Sequence, residues 1–187
     1  DKNIVTIEDP VEYKIEGINQ TQVNAKIGLT FSKGLRSILR QDPDVIMVGE
    51  IRDKETAQIA IRAASTGHLV ISTMHTNNAI ESINRLLDMG IPRYLIASTL
   101  NGIISQKLIR RVCKNCSYEE TIETNISKYL KLYKDIKVKK AKGCRACSGT
   151  GYKGRVALYE IVEVDKDIRR AIMSQENIEE IYNTARL

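Results

Sequence analysis

The chain has 187 residues, of which 42% are hydrophobic and 28% are charged, and its formal net charge is +6. These proportions are ordinary for a globular protein and exclude intrinsic disorder, collagen-like sequence and low-complexity sequence. No apolar run approaches the ~18 residues that a membrane-spanning helix needs. The sequence opens with neither a methionine nor a signal peptide, so we expect it to begin inside a longer protein.

Short β-like runs alternate with helical patterns over the first hundred residues, which indicates an α/β fold around a mostly parallel sheet. Three short apolar runs are rich in β-branched residues, as strands covered on both faces should be. They predict strands at Ile4–Ile7, Val45–Val48 and Leu69–Thr73.

Helices with readable ends lie between and after these strands. A first helix is predicted to end before Pro43, because the residue preceding a proline resists the helical conformation. Asp53 is expected to cap a second helix that stops at Gly67. A third helix is predicted to start at Asn78, which forms a capping-box pattern with Glu81 three residues later.

The pattern continues with a fourth predicted helix running from Tyr94 towards Arg110. A Lys-rich amphipathic stretch follows at Tyr129–Lys142, and a strand is predicted at Val156–Val162. Two short helices are expected to begin at Asp165 and Asn177. We expect three segments: a partial α/β core at 1–111, a small lobe at 112–155, and a strand with helices at 156–187.

The four cysteines form two C-x-x-C pairs with 27 residues between the pairs. In a chain without a secretory signal this spacing favours a metal over disulfides. Four thiolates complete the tetrahedral shell of Zn²⁺ and leave no open position, so the site is predicted to be structural. The expected ligands are Cys113, Cys116, Cys144 and Cys147.

Ligands of open α/β sheets bind outside the carboxyl ends of the strands, where loops converge. Polar side chains follow each predicted strand there: Asp9 and Glu12, Glu50 and Arg52, and His75 and Thr76. Carboxylates held by buried strands can orient the attacking water or the waters around magnesium in nucleotide hydrolysis. The three strand ends therefore predict a magnesium-nucleotide site.

The two histidines of the chain stand on either side of the third predicted strand. Seven extended steps cover roughly 23 Å, so His68 and His75 are expected at opposite ends of that strand. Only His75 is then placed at the ligand-binding edge.

A phosphate-binding loop is missing from the sequence. The P-loop pattern G-x-x-x-x-G-K-[ST] occurs nowhere in the 187 residues. Gly28 and Gly34 have five residues between them, and Leu35 stands where the pattern needs lysine. Either the chain is not part of a nucleotide enzyme, or the loop is expected to lie ahead of residue 1.

Eight segments together resemble the type II secretion and type IV pilus assembly ATPases over nearly the whole chain. They include that family's aspartate box, Walker B motif and histidine box. The segments are Thr6–Tyr13, Gly28–Phe31, Leu35–Asp44, Ile46–Asp53, Thr66–Val70, Ser72–Asn77, Cys113–Cys147 and Thr150–Arg155.

The resemblance implies a hexameric motor with a RecA-like P-loop NTPase core, truncated on its N-terminal side, that uses ATP and Mg²⁺. By this resemblance Glu12 polarises the attacking water, Glu50 acts on magnesium and its waters, and His75 faces the γ-phosphate. The remaining nucleotide-associated positions are Glu8, Asp9, Arg52, His68 and Thr76.

The resemblance also implies a cellular location and a set of partners. The protein would act at the cytoplasmic face of a bacterial inner membrane, with platform and assembly proteins of a secretion or pilus machine as partners and no direct nucleic-acid contact. Retraction motors of the superfamily generally lack the cysteine element, so its presence favours assembly or secretion. Without a P-loop, the isolated 187 residues are expected to be inactive.

A zinc-ribbon module that binds nucleic acid or a protein, without catalysis, is the alternative. From Lys107 to Arg155 the basic residues outnumber the acidic ones 14 to 4, a local charge of +10 that would attract phosphates. Residues for stacking on bases are sparse, because Phe31 is the only phenylalanine and tryptophan is absent.

Overall fold

The computed structural model describes residues 2–121, 137–174 and 178–185. The chain divides into two compact units, one formed by Asp1–Ser105 with Glu160–Leu187 and the other by Gln106–Tyr159. None of the helices in the described ranges combines the length and the apolar character that crossing a bilayer requires.

A four-stranded parallel sheet organises the first unit. Its strands are β1 (Ile4–Glu8), β2 (Asn19–Gln22), β3 (Val45–Val48) and β4 (Leu69–Ser72), in the spatial order β2-β1-β3-β4. The three strands predicted from apolar runs are observed to within one residue at each end. Strand β2 is not predicted from the sequence, because this short edge strand consists of polar residues and shows no hydrophobic pattern.

Four helices follow the strands of this unit: α1 (Phe31–Ile38), α2 (Lys54–Ser65), α3 (Ala79–Asp88) and α4 (Arg93–Thr99). The predicted cap of α2 is present, since the Asp53 carboxylate accepts hydrogen bonds from the backbone N–H and the hydroxyl of Thr56 at 2.8 and 2.9 Å. Such caps satisfy N–H groups that have no partner inside the helix.

The start of α3 differs slightly from the predicted capping box. The side-chain oxygen of Asn78 accepts from the backbone N–H of Glu81 at 2.9 Å, as expected. The Glu81 carboxylate, however, accepts from the N–H of Asn77 at 2.9 Å and so reaches one residue beyond the cap. The two bonds fix the end of the loop that enters α3.

The helix predicted from Tyr94 towards Arg110 is present at its start, within one residue, but the predicted extent is wrong. Helix α4 ends at Thr99, and residues Gly102–Val112 form strand β5. Glycine at the break disfavours helix continuation, and the following run is rich in β-branched isoleucine, which favours an extended chain.

The second unit contains an antiparallel pair, β6 (Ser117–Thr121) with β7 (Lys137–Ala141). The Lys-rich stretch Tyr129–Lys142 is described only from residue 137 onwards, where it is this strand; residues 129–136 lie outside the described part. Two cations lie over aromatic rings in the unit, and we expect each contact to contribute about 0.5–1 kcal/mol. They are Arg110 over Tyr152 at 4.2 Å and Lys142 over Tyr118 at 5.4 Å.

The chain then forms β8 (Tyr152–Glu163), which pairs with β5, and two helices, α5 (Lys166–Met173) and α6 (Ile178–Ala185). Asp165 caps α5 by accepting from the N–H of Ile168 at 2.9 Å, as predicted. The predicted start of the last helix, Asn177, lies outside the described residues.

The core of the first unit joins the sheet to these helices. Its fully buried side chains come from both the beginning and the end of the chain, so the C-terminal helices complete the α/β layer. The largest are Ile7, Leu35, Ile38, Ile46, Ile80, Ile83, Ile96, Ile172 and Ile181.

A close contact between α1 and β1 depends on the absence of a side chain at Gly34. A Cβ atom built at this buried glycine would lie 2.0 Å from Cδ1 of Ile7. Since Ile7 is itself fully buried, neither group has free space to move into.

We therefore expect Gly34→Ala to lower the free energy of unfolding by about 1–3 kcal/mol, the usual cost of overpacking a core. Adding Ile7→Val removes the clashing methyl, so the double variant should recover part of that loss. Chemical denaturation of both variants and of Ile7→Val measures this. Purely additive losses in the double variant would contradict the steric explanation.

Candidate nucleotide site and cysteine cluster

The end of β1 and the segments that follow β3 and β4 are joined by hydrogen bonds at one edge of the sheet. The N–H of Gly49 donates to the carbonyl of Ile7 at 2.7 Å, and the N–H of Ile51 donates to the carbonyl of Thr73 at 3.0 Å. The Thr73 hydroxyl also donates to the carbonyl of Gly49 at 2.6 Å. The backbone of the site is thus an extension of the sheet.

Glu50, Arg52 and His75 meet at this edge. Glu50 is 8% exposed, and its Oε2 accepts a hydrogen bond from Nε of Arg52. The same oxygen lies 3.4 Å from Nε2 of His75, which comes from the loop after β4. One buried carboxylate oxygen therefore contacts two groups from different loops.

The three groups differ in their exposure to solvent. The side chains of Arg52 and His75 are 64% and 86% exposed, whereas that of Glu50 is 11% exposed. A buried carboxylate with a guanidinium and an imidazole on its rim can interact with a metal-bound water and with an anionic phosphate at the same time.

Glu8 is a second buried acid, at the end of β1 and 8% exposed. Its Oε1 accepts hydrogen bonds from the hydroxyl of Thr6 at 2.5 Å and from Nε2 of Gln20 at 3.0 Å. These bonds satisfy the carboxylate within the sheet, where an unpartnered charge would be costly.

Asp9 and Glu12 lie on the loop between β1 and β2, and both are exposed. Asp9 lines a hollow of about 490 Å³ together with Arg52 and the beginnings of α1 and α2. Within the ranges that the structure describes, Glu12 has no hydrogen-bond or ion-pair partner, so it is not brought into contact with Glu50 or His75.

Thr76 is tied to the start of α3. Its hydroxyl donates to the carbonyl of Asn78 at 3.1 Å and lies 2.9 Å from the hydroxyl oxygen of Ser82. Beside it, His75 opens into a polar hollow of about 480 Å³ that Arg85 also lines.

His68 lies at the opposite end of β4 from His75, as expected. It precedes Leu69, which pairs with Val45 at the amino end of β3. Nδ1 of His68 is 3.0 Å from the carbonyl oxygen of Ala63, so the imidazole contacts the end of α2 instead of the candidate site.

Three further residues hold the loops of this edge, although no sequence pattern singles them out. Gln20 and Gln22 of β2 bind the loop that carries Glu12. The Glu160 carboxylate accepts from the N–H of Ala79 at 2.9 Å, at the first residue of α3. Gln20 and Gln22 are two residues apart in the sequence. This spacing is the only sequence feature that indicates their shared role, because it places both side chains on one face of a strand.

The four cysteines converge in the second unit, and none forms a disulfide. All four Sγ atoms lie within 4.8 Å of one another, with separations of 3.9 Å for Cys113–Cys144 and Cys116–Cys147 and 3.8 Å for Cys144–Cys147. Tetrahedral coordination with Zn–S bonds of about 2.3 Å requires sulfurs about 3.8 Å apart. The cluster therefore fits a zinc ion.

Two backbone N–H groups donate to the sulfur of Cys147, and outer contacts of this kind orient the ligands in many metal sites. Cys147 Sγ accepts from the N–H of Cys144 at 3.1 Å and of Gly151 at 3.3 Å. Donation from Cys144 is the main cause that lowers the pKa of the Cys147 thiol to about 6. Burial raises the pKa of the Cys116 thiol to about 12.

The parallel sheet and the groups at its carboxyl edge define a RecA-like NTPase core, and comparison with solved structures confirms this class. The pilus retraction motor PilT with bound ADP superposes with a TM-score of 0.69, at 34% identity, over 98% of this chain and 44% of that one. The ATPase DotB of Legionella pneumophila gives a TM-score of 0.64 at 26% identity over 99% of this chain and 42% of that one.

Residues 1–187 match the family described as Type II/IV secretion system protein, and the chain belongs to this family. It is 53% identical over 190 residues to the type IV pilus assembly ATPase PilB of Thermus thermophilus, covering 100% of this chain. It is 50% identical over 177 residues to type II secretion system protein E of Klebsiella pneumoniae, covering 95% of this chain. The resemblance inferred from the motifs is confirmed.

The chain spans 21% of the Thermus protein and 36% of the Klebsiella protein. It therefore represents a minor part of the relatives it matches. Neither these relatives nor the described residues give support to the nucleic-acid-binding alternative.

Proposed function

We propose that the protein containing these residues is an ATPase motor that drives assembly of a pilus or pseudopilus, in type II secretion, type IV pilus formation or DNA uptake. The names of the relatives support this proposal, since they include a pilus assembly ATPase and a secretion system protein. The cysteine cluster also supports assembly over retraction.

The observation that carries the proposal is the meeting of Glu50 and His75, whose Oε2 and Nε2 atoms are 3.4 Å apart across adjacent strand ends. In this proposal Glu50 orients waters at the metal and His75 contacts the γ-phosphate. Arg52, already bonded to Glu50, adds positive charge on the rim and helps to hold the anionic substrate.

Glu12 is proposed to polarise the attacking water. Its exposure leaves the carboxylate open to a water and a substrate, and general bases act only within hydrogen-bond reach of the proton they accept. Glu8, Asp9 and Thr76 support the same edge of the sheet. His68 remains a proposed motif position whose contacts are with α2.

The substrate is ATP, and bound Mg²⁺ would neutralise charge that develops on the phosphates during transfer. The 187 residues contain no P-loop pattern, and they span only a minor part of the relatives. We propose that the loop holding the phosphates belongs to the rest of the protein.

The proposal extends to a homo-hexamer at the cytoplasmic face of an inner membrane. Its partners would be the platform and assembly proteins of the secretion or pilus machine.

In the second unit, Cys113, Cys116, Cys144 and Cys147 are proposed to hold one structural Zn²⁺. The observed sulfur separations support this assignment. A complete set of four thiolates leaves no position for substrate, so the ion would supply folding energy, roughly 10–16 kcal/mol in small peptides, rather than catalysis.

We expect Glu12→Gln in the ATPase-containing protein to lower kcat at least 100-fold, within the range of a lost general base. ATP affinity should stay within about threefold, because the carboxamide keeps the size of the side chain. Steady-state phosphate release and nucleotide titration measure the two effects. Glu16→Gln, an exposed acid on the same loop, is the matched control. Unchanged turnover in Glu12→Gln would remove Glu12 from this role.

The isolated 187-residue chain is expected to hydrolyse ATP negligibly, since it lacks the phosphate-holding loop. A phosphate-release assay beside the longer ATPase-containing protein tests this directly. Robust turnover by the isolated chain would show that the phosphates are held by other residues than we propose.

Protein purified without chelator is expected to contain about one zinc per chain. Cys113→Ser should lose metal and loosen residues 106–121 and 137–159, while the α/β unit stays protected from hydrogen exchange. Elemental analysis and exchange measurements check both effects, with Ser117→Ala as a control beside the cluster. Absence of zinc from the unaltered protein would contradict the proposal.

A further inference from the structure

The loop between β1 and β2, residues 9–18, is held to the rest of the fold by side chains. One backbone–backbone hydrogen bond lies within it, from the N–H of Ile18 to the carbonyl of Ile15 at 3.4 Å. In the part of the chain that the structure describes, all other hydrogen bonds to this loop's backbone come from Gln20 and Gln22.

These bonds fix the residues on both sides of Glu12. The N–H of Val11 donates to Oε1 of Gln22 at 3.2 Å. Nε2 of Gln20 donates to the carbonyl of Tyr13 at 2.9 Å. Glu12 is thus exposed and unpartnered within the described ranges, yet its backbone is held immediately before and immediately after it.

Gln20 is itself anchored in the sheet. Its Nε2 also donates to Oε1 of the buried Glu8 at 3.0 Å, and its Oε1 accepts from the N–H of Ile15 at 2.8 Å. In the parallel pair, Thr6 lies beside Gln20 and Glu8 beside Gln22, so these four side chains share one face. Strand β1 therefore determines the position of the loop through the side chains of Glu8 and Gln20.

A carboxylate on a loop without a backbone ladder needs such support to act on a water. Misplacement of a reacting group by about 1 Å can reduce a rate about 100-fold. The two glutamines use neutral amides, which fix the backbone without adding a charge beside Glu8 and Glu12.

We propose that Gln20 and Gln22 are positioning residues that set the place of the Glu12 carboxylate for ATP hydrolysis. This inference rests on the proposed role of Glu12. It assigns the polar edge strand β2 a function beyond extending the sheet.

The first test uses Gln20→Ala and Gln22→Ala in the ATPase-containing protein, with Asn19→Ala as the control. Asn19 belongs to the same strand but, in the described residues, its side chain makes no hydrogen bond. Each glutamine variant should lower kcat at least tenfold while KM for ATP stays within about twofold. Turnover equal to that of Asn19→Ala would overturn the inference.

The second test separates positioning from a general loss of structure. In a Glu12→Gln background, Gln22→Ala should cause less than a twofold further loss, because the group it positions is already gone. If the two losses multiply, Gln22 acts independently of Glu12 and the inference is wrong. If Glu12→Gln alone keeps full turnover, the proposed role of Glu12 is wrong. This outcome differs from multiplying losses, which would leave the role of Glu12 intact and contradict only the role of Gln22.

The third test uses the different bonds of the two amides. Among the described residues the Gln22 side chain only accepts, so Gln22→Glu keeps the bond to Val11 and should retain more turnover than Gln22→Ala. Gln20 also donates, to Glu8 and Tyr13, so Gln20→Glu should lose at least as much as Gln20→Ala. Both substitutions to glutamate place a carboxylate near Glu8, so the change in charge is common to the two variants. A difference between them therefore reports the hydrogen bonds, and the reverse order of turnover would contradict the assigned bonds.

Hydrogen exchange gives a readout that does not depend on activity. The amide of Val11 should exchange faster in Gln22→Ala, and that of Ile15 faster in Gln20→Ala. The amide of Val23, which donates to the backbone carbonyl of Glu8 at 2.8 Å, should stay protected in both. Unchanged exchange at Val11 and Ile15, or equal loss of protection at all three, would overturn the inference.

Discussion

The contact on which the candidate site depends is that of the Glu50 carboxylate with Arg52 and His75 at the carboxyl edge of the sheet. It exists because β3 and β4 are parallel and in register, with Val48 opposite Ser72. A shift of one residue along either strand would exchange the two faces and separate the acid from the imidazole. The buried strands therefore determine the chemistry at their ends, and the hydrophobic core stabilises the site as well as the fold.

The two units reach local order by different means. In the first, apolar strands and helices bury a shared core, and polar loops are attached to it by side-chain hydrogen bonds, as Gln20 does for the loop after β1. In the second, the described part contributes few buried side chains, among them those of Cys113 and Cys147. A metal held by four thiolates can order a lobe that buries little apolar surface, because binding energy adds directly to folding energy.

The sequence predicts the buried elements well because their signals are local. Val45–Val48 is observed as predicted, since a short β-branched run between turn residues has few alternatives. The helix predicted to run towards Arg110 ends early, because the apolar spacing of α4 continues without interruption into strand β5, which begins at Gly102. The contacts of Gln20 were not predictable, because they depend on the pairing of β2 with β1, and a polar edge strand carries no hydrophobic pattern. The cysteine cluster was predictable from spacing alone.

The carboxyl edge of β1, β3 and β4 is proposed to receive the terminal phosphates of ATP. The most direct measurement is a crystal structure of the ATPase-containing protein with Mg²⁺ and a non-hydrolysable ATP analogue. We expect the γ-phosphate to contact His75, with Glu50 directed at the waters of the metal. A γ-phosphate bound at another face of the unit, beyond hydrogen-bond reach of both residues, would contradict this proposed site.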